Sequence, residues 1–294
     1  MPHLLKNENL EIYIDLPNEG YRLSRFDWTG KITTVKYKGR RVSSVERTDV
    51  DDKINYGRGF YNEFGIEDAV GFDETKVGEW FHKIGVGILK KNDSEYGFFK
   101  NYEIKPASFN LNSNTDSIEL YCVSDLVNGY GYILRKTIEL LENGFTIHYR
   151  LNNTGKKTIQ TDEYNHNFVS IDHDLISENY KLSLPFTLDS SKFKQYVNEE
   201  EKVKIFKNEI GFSGTPKEPF FFSDLTASKM VNPSWDLVNS KKKLRIQEIA
   251  DFESDKINLW GWKHVVSPEI FFKINIKPND SVSWTRSYNI HEIN

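Results

Sequence analysis

The chain of 294 residues has one cysteine, Cys122, which excludes an intrachain disulfide. Cys122 lies in an apolar run at 120–123 and reads as a small buried hydrophobe, not a nucleophile. No hydrophobic run is long enough to span a bilayer and mean hydropathy is -0.59, so no membrane partner is expected. A net charge of -4 offers no field for nucleic acid. The opening Met1-Pro2-His3-Leu4-Leu5-Lys6 has no basic segment followed by an apolar one, which predicts a cytoplasmic protein. Familiar catalytic motifs are missing as well: no G-x-x-x-x-G-K-[ST], no G-x-S-x-G, no H-E-x-x-H. Gly57-Arg58-Gly59 and Gly85-Val86-Gly87 precede no helical pattern, which argues against a dinucleotide. The nearest approach to a metal cluster joins His166 to Asp172-His173-Asp174, and the latter reads as a turn, so no metal site is expected.

What the chain has in quantity is rings: 20 Phe, 15 Tyr and 6 Trp, a composition that favours β structure and can wall a sugar site. Leu10, Ile12, Ile14 and Leu16 alternate with polar residues up to a Pro17-Asn18-Glu19-Gly20 turn. Further strands are predicted at 32–37, 84–88, 96–104 and 117–124. The clearest hairpin spans 130–151 around Glu142-Asn143-Gly144, with glycine where a positive φ is expected. Later strands are predicted at 220–222, 235–238, 244–249, 257–262, 269–276 and 281–290. Residues 48–77 fit neither period and read as a long functional loop, and 189–220 is polar and weakly patterned. No amphipathic helix, fixed repeat or Pro/Ser-rich linker is visible. The expectation is an all-β protein whose antiparallel sheets pack face to face, one domain over residues 1–294.

Two titratable residues stand out. In Glu163-Tyr164-Asn165-His166-Asn167-Phe168 a strand would set His166 on one face with Tyr164 and Phe168, and Glu163, Asn165 and Asn167 on the other. Glu269 follows Pro268 and falls opposite the core face formed by Ile270, Phe272, Ile274 and Ile276. Read singly, His166 is a core histidine and Glu269 a surface glutamate. Asp224 is a sugar contact or, more simply, a turn residue.

Five segments in order resemble the aldose 1-epimerase, or galactose mutarotase-like, superfamily. They are Arg25-Phe26-Asp27-Trp28-Thr29-Gly30, Gly57-Arg58-Gly59-Phe60-Tyr61-Asn62-Glu63-Phe64-Gly65, residues 81–89, residues 163–168 and residues 267–288. The resemblance implies a β-supersandwich and the interconversion of α and β anomers of a free sugar, an isomerase reaction that needs no metal or organic cofactor. It implies His166 as acid, Glu269 as base, and Arg58 as a contact to the sugar or its phosphate. Lys83 would be a second basic residue and His82 a second site histidine. Trp260 or Trp235 would pack on a pyranose face. The substrate would be a monosaccharide or a sugar phosphate.

On this reading His166 and Glu269 face one cleft about a sugar ring apart, with Arg58 lining it, and Glu163 or Asp162 holds the imidazolium. Two other readings compete. One is a non-catalytic carbohydrate-binding protein on the same scaffold. The other is a glycosidase, which would need a second carboxylate opposite Glu269.

Overall fold

The computed structural model describes residues 2–293. Among them, two ten-stranded sheets and a three-stranded one carry nearly all the regular structure; the helices are the short turns Lys53–Asn55 and Ser190–Lys192. The first large sheet runs His3–Lys6, Leu10–Asp15, Lys31–Tyr37, Phe60–Phe64, Ile159–Asn167, Val265–Ile276, Ile257–Trp262, Phe220–Ser223 and Gln195–Val197, with Arg40–Arg41 paired to its third strand. Its neighbours are antiparallel. The second has Ser281–Glu292 and Gly144–Asn153 at its centre. Rings from both sheets meet between them: Phe60 lies 5.0 Å from Tyr288, and Phe64 and Phe272 close on Trp284. The all-β expectation therefore holds, with the hydrophobic core between the two large sheets.

The predicted hairpin forms as Tyr132–Leu141 and Gly144–Asn153, turning at the pair Leu141↔Gly144. Gly144 is needed for a different reason than positive φ. A Cβ there would lie 2.0 Å from the Tyr288 carbonyl oxygen, so the glycine admits the neighbouring strand.

Three expectations fail. Residues 48–77 are not one loop, because Phe60–Phe64 is a strand near the middle of the first sheet. All five of its residues are buried, so both faces are covered and the polar half of the alternation disappears. Residues 84–86 turn between Trp80–Lys83 and Gly87–Lys90 and do not continue a strand. Gly85 has φ +79° there, and a Cβ would meet the Asp27 carboxylate at 2.1 Å. Residues 96–103 are irregular, and only Ile104–Pro106 pairs.

The face of the first sheet turned away from the second is only partly open to water. The three-stranded sheet and the segments around residues 21–28 and 96–102 cover part of it with a second apolar cluster. Phe26, Tyr61, Phe81, Tyr102 and Phe168 belong to that cluster. The candidate site lies beneath this cover.

Candidate active site

Strand register brings the two singled-out residues together. Along Ile159–Asn167 and Val265–Ile276, paired residues sum to a constant from Ile159↔Ile276 to Tyr164↔Phe271, and the bridge Val169↔Val266 keeps it. His166 therefore stands directly across from Glu269, and the alternation that gives the core Ile270 turns Glu269 toward the covered face. The next strand, Phe60–Phe64, sets Tyr61 opposite His166 and Glu63 opposite Tyr164, on that same face.

The contacts follow from this layout. His166 Nδ1 lies 2.9 Å from Glu269 Oε1, and Nε2 lies 3.2 Å from Glu63 Oε2. Glu63 also accepts from Tyr164 Oη at 2.8 Å and Arg25 Nε at 3.1 Å, and Lys83 Nζ approaches it at 3.4 Å. Arg25 bonds Glu46 at 2.8 Å and reaches to 3.2 Å from His166 Nε2. Phe168 stacks parallel to the imidazole at 5.3 Å and Phe26 meets it edge-on. His166 is 5% exposed and Glu269 4%.

Burial alone would lower the pKa of His166. The charge of Glu269, with hydrogen bonds to Glu269 and Glu63, outweighs burial and the repulsion from Arg25, and raises it. Burial likewise opposes ionisation of Glu63, but Lys83 and Arg25, then His166, hold it well below the usual carboxylate range. The cluster thus sets an imidazole whose charged form is favoured between Glu63 and Glu269.

The structure treats the sequence-derived candidates unequally. His166 and Glu269 share a face, but in contact and not a ring's width apart. Trp260 sits edge-on to Phe168 at 6.1 Å, at the margin of the cluster, whereas Trp235 is sealed in the sandwich core. Lys83 is buried and spent on Glu63, the Gly65 carbonyl and Tyr96 Oη. Arg58 donates to the Lys53 carbonyl at 2.6 Å, and the guanidinium on the histidine belongs to Arg25. His82 points elsewhere, toward the Val127 carbonyl and the rings of Tyr130 and Tyr132. Glu163 does not hold the imidazolium: it faces the sandwich core and binds Arg286 at 2.7 Å. Asp162 makes no contact to the imidazole either, and Glu63 takes that place. Asp224 is a turn residue at φ +59° whose carboxylate caps Thr226 and Ser228.

Arg25, Glu46 and Glu63 escaped the sequence reading. Arg25 and Glu63 both lie in the segments that carried the resemblance, yet only strand register says that Glu63 faces His166.

No protein-family model matches the chain, and no curated protein matches it in sequence. Solved structures do. A galactose mutarotase related enzyme from Lactobacillus acidophilus superposes with TM-score 0.60 at 12% identity, covering 100% of each chain. A galactose mutarotase-like protein from Lactobacillus casei gives 0.61 at 10%, over 99% of this chain and 100% of that one. An aldose epimerase homologue from C. elegans gives 0.57 at 8%, over 100% of each. The chain has the galactose mutarotase-like fold.

Proposed function

We propose that the protein is an isomerase of the aldose 1-epimerase kind, interconverting the anomers of an aldose by acid–base ring opening. The observation that carries this reading is His166 held between Glu63 and Glu269, each within hydrogen-bond reach of one ring nitrogen. The two oxygens of a hemiacetal sit on one carbon, so an acid and a base on adjacent strands can address both. Glu269 takes the proton of the C1 hydroxyl while His166 gives its own to the ring oxygen. The bond from C1 to the ring oxygen breaks and the C1 carbonyl forms. After rotation about the C1–C2 bond, the ring closes on the other face and both protons return. Each positioned proton-transfer group contributes roughly 10²–10⁴-fold. Glu63 does not touch the reacting atoms on this reading; it keeps the imidazole charged and fixed.

Polarimetry of freshly dissolved single anomers of neutral hexoses, pentoses and hexose 6-phosphates tests this. At least one should equilibrate faster with the protein than without it. The mutual bond and near-complete burial of His166 and Glu269 also favour a second reading, a carbohydrate-binding protein without activity. Sugar affinity with no acceleration on any sugar would decide for it.

A further inference from the structure

The face that carries His166 continues into a groove of about 1050 Å³. This is at the upper end of the roughly 300–1,000 Å³ of small-molecule sites, and is more than one sugar ring needs. The groove begins at Phe271, which stacks on Tyr164 at 4.3 Å, and at Asn258, the register partner of Glu269. It runs along the same strands toward Asp162 and Asn275 and across to Gln195.

Its chemistry is selective. Three lysines line it, and each is neutralised: Lys194 by Asp224 at 3.2 Å, Lys256 by Glu67 at 3.1 Å, and Lys273 by Asp255. No arginine or histidine lines it. Lys83 is buried on Glu63, and Arg58, which meets only the Lys53 carbonyl, does not line the groove, so among the described residues the groove offers no unpaired cation to a phosphate or uronate. Besides carboxylates, among them Asp68, Asp73 and Asp162, which accept from hydroxyls, the groove carries the amides of Gln160, Gln195 and Asn275, groups that both donate and accept, as sugar hydroxyls do.

Asp162 adds a specific demand. It shares the face of His166 four residues along one strand, about 13 Å away. Its Oδ1 is buried and has no hydrogen-bond partner among the described residues. A buried acceptor left open costs free energy that a ligand donor recovers. Burial raises the pKa of Asp162 even though the Lys256 charge and the Ile66 backbone N–H oppose it.

We propose that the groove is a binding site for a neutral oligosaccharide, whose reducing end reaches His166 and Glu269 while a hydroxyl of a later sugar unit donates to Asp162. This rests on the isomerase reading for its reducing end only; the groove's affinity is a separate property.

Isothermal titration calorimetry of the full chain tests it. The probes are glucose, xylose, mannose and galactose, the corresponding neutral di- and trisaccharides, and glucose 6-phosphate. At least one trisaccharide should bind about tenfold or more tightly than its monosaccharide, and Asp162→Ala should remove that gain while leaving the monosaccharide affinity unchanged. Gln195→Ala and Asn275→Ala alter exposed side chains and serve if Asp162→Ala fails to fold; each should shrink the same gain. Trisaccharides no tighter than monosaccharides in every series, or glucose 6-phosphate the tightest ligand, would overturn the proposal. Polarimetry on the same samples separates the two claims. Tight trisaccharides with no mutarotation sink the isomerase reading and keep the groove. Mutarotation of monosaccharides with no length dependence does the reverse.

Discussion

The strand Ile159–Asn167 carries a buried charge cluster on each face. Toward the covered outer face, His166 meets Glu63, Glu269 and Arg25. Toward the sandwich core, Glu163 meets Arg286, which also binds Glu248 at 2.7 Å. The core cluster is sealed: Glu163, Arg286 and Glu248 are all 0% exposed. It is also crowded with fixed partners. Trp284 Nε1 donates to Glu163, Trp235 Nε1 to Glu248, and Asn167 to Glu248. The outer cluster keeps a few per cent of surface at His166, Glu269 and Arg25.

Charge balance separates them further. Glu63 faces Lys83, Arg25 and His166, and its pKa falls despite burial. Glu163 has Arg286 as its main cation, shared with Glu248, and burial drives its pKa up. Equal burial thus gives opposite directions, and the number of cations within reach decides which. A saturated cluster with no access can join sheets. A balanced cluster with a titratable member and a margin of exposed surface can move protons.

Substitutions can break this division, starting with the largest effect. His166→Asn should lower the catalysed rate by roughly two or more orders of magnitude through kcat more than KM, as read by polarimetry. Its melting temperature should shift far less than that of the core variant. Arg286→Leu should cost about 3–5 kcal/mol in urea unfolding, because two carboxylates lose their buried counterion. If Arg286→Leu were as stable as the wild type, the core cluster would not be what joins the sheets.

Glu63→Gln sharpens the comparison. Replacing that carboxylate by a neutral amide lowers the pKa of His166, so the alkaline limb of the rate profile should move to lower pH, and an NMR titration of His166 should move with it. The linkage signs differ between partners. His166, raised in the fold, stabilises below its unfolded pKa and loses this as pH rises through the folded value. Glu63, depressed in the fold, stabilises above its unfolded pKa and loses this as pH falls through the folded one. The wild type should therefore lose one contribution as pH rises above the ordinary histidine range and the other as pH falls below the ordinary carboxylate range, and Glu63→Gln should lack the acid one. The smallest effect is expected for Arg58→Met. Its guanidinium serves the Lys53 carbonyl, so activity should change by less than about twofold and stability by about 0.5 kcal/mol or less. A large loss of sugar affinity in Arg58→Met would restore the role implied by the resemblance.

The same contrast explains what could be read from the sequence. The hairpin 130–151 and the C-terminal strands announce themselves because one face is polar and the other apolar, which leaves a period of two. The side-chain parity of His166 and Glu269 followed from that rule. Phe60–Phe64 did not announce itself, because the outer cluster buries the face that would have been polar. Glu63 was lost with it. The partner of Glu163 was hidden for another reason: a strand's own residues do not say which sheet its far face meets, and Arg286 lies 123 positions away. Arg58 and Arg25 illustrate a third limit, since a short motif supplies an arginine but not the direction of its side chain.

Glu269→Gln is the most direct test of the division, because it changes one atom type in the outer cluster and nothing in the core. Polarimetry should be run on the wild type and on the variant, with rates normalised to folded protein and urea unfolding measured in parallel. The account predicts a catalysed rate lower by roughly two or more orders of magnitude. It also predicts an unfolding midpoint much closer to wild type than that of Arg286→Leu. Folded Glu269→Gln protein that equilibrates every responsive sugar at the wild-type rate would contradict it.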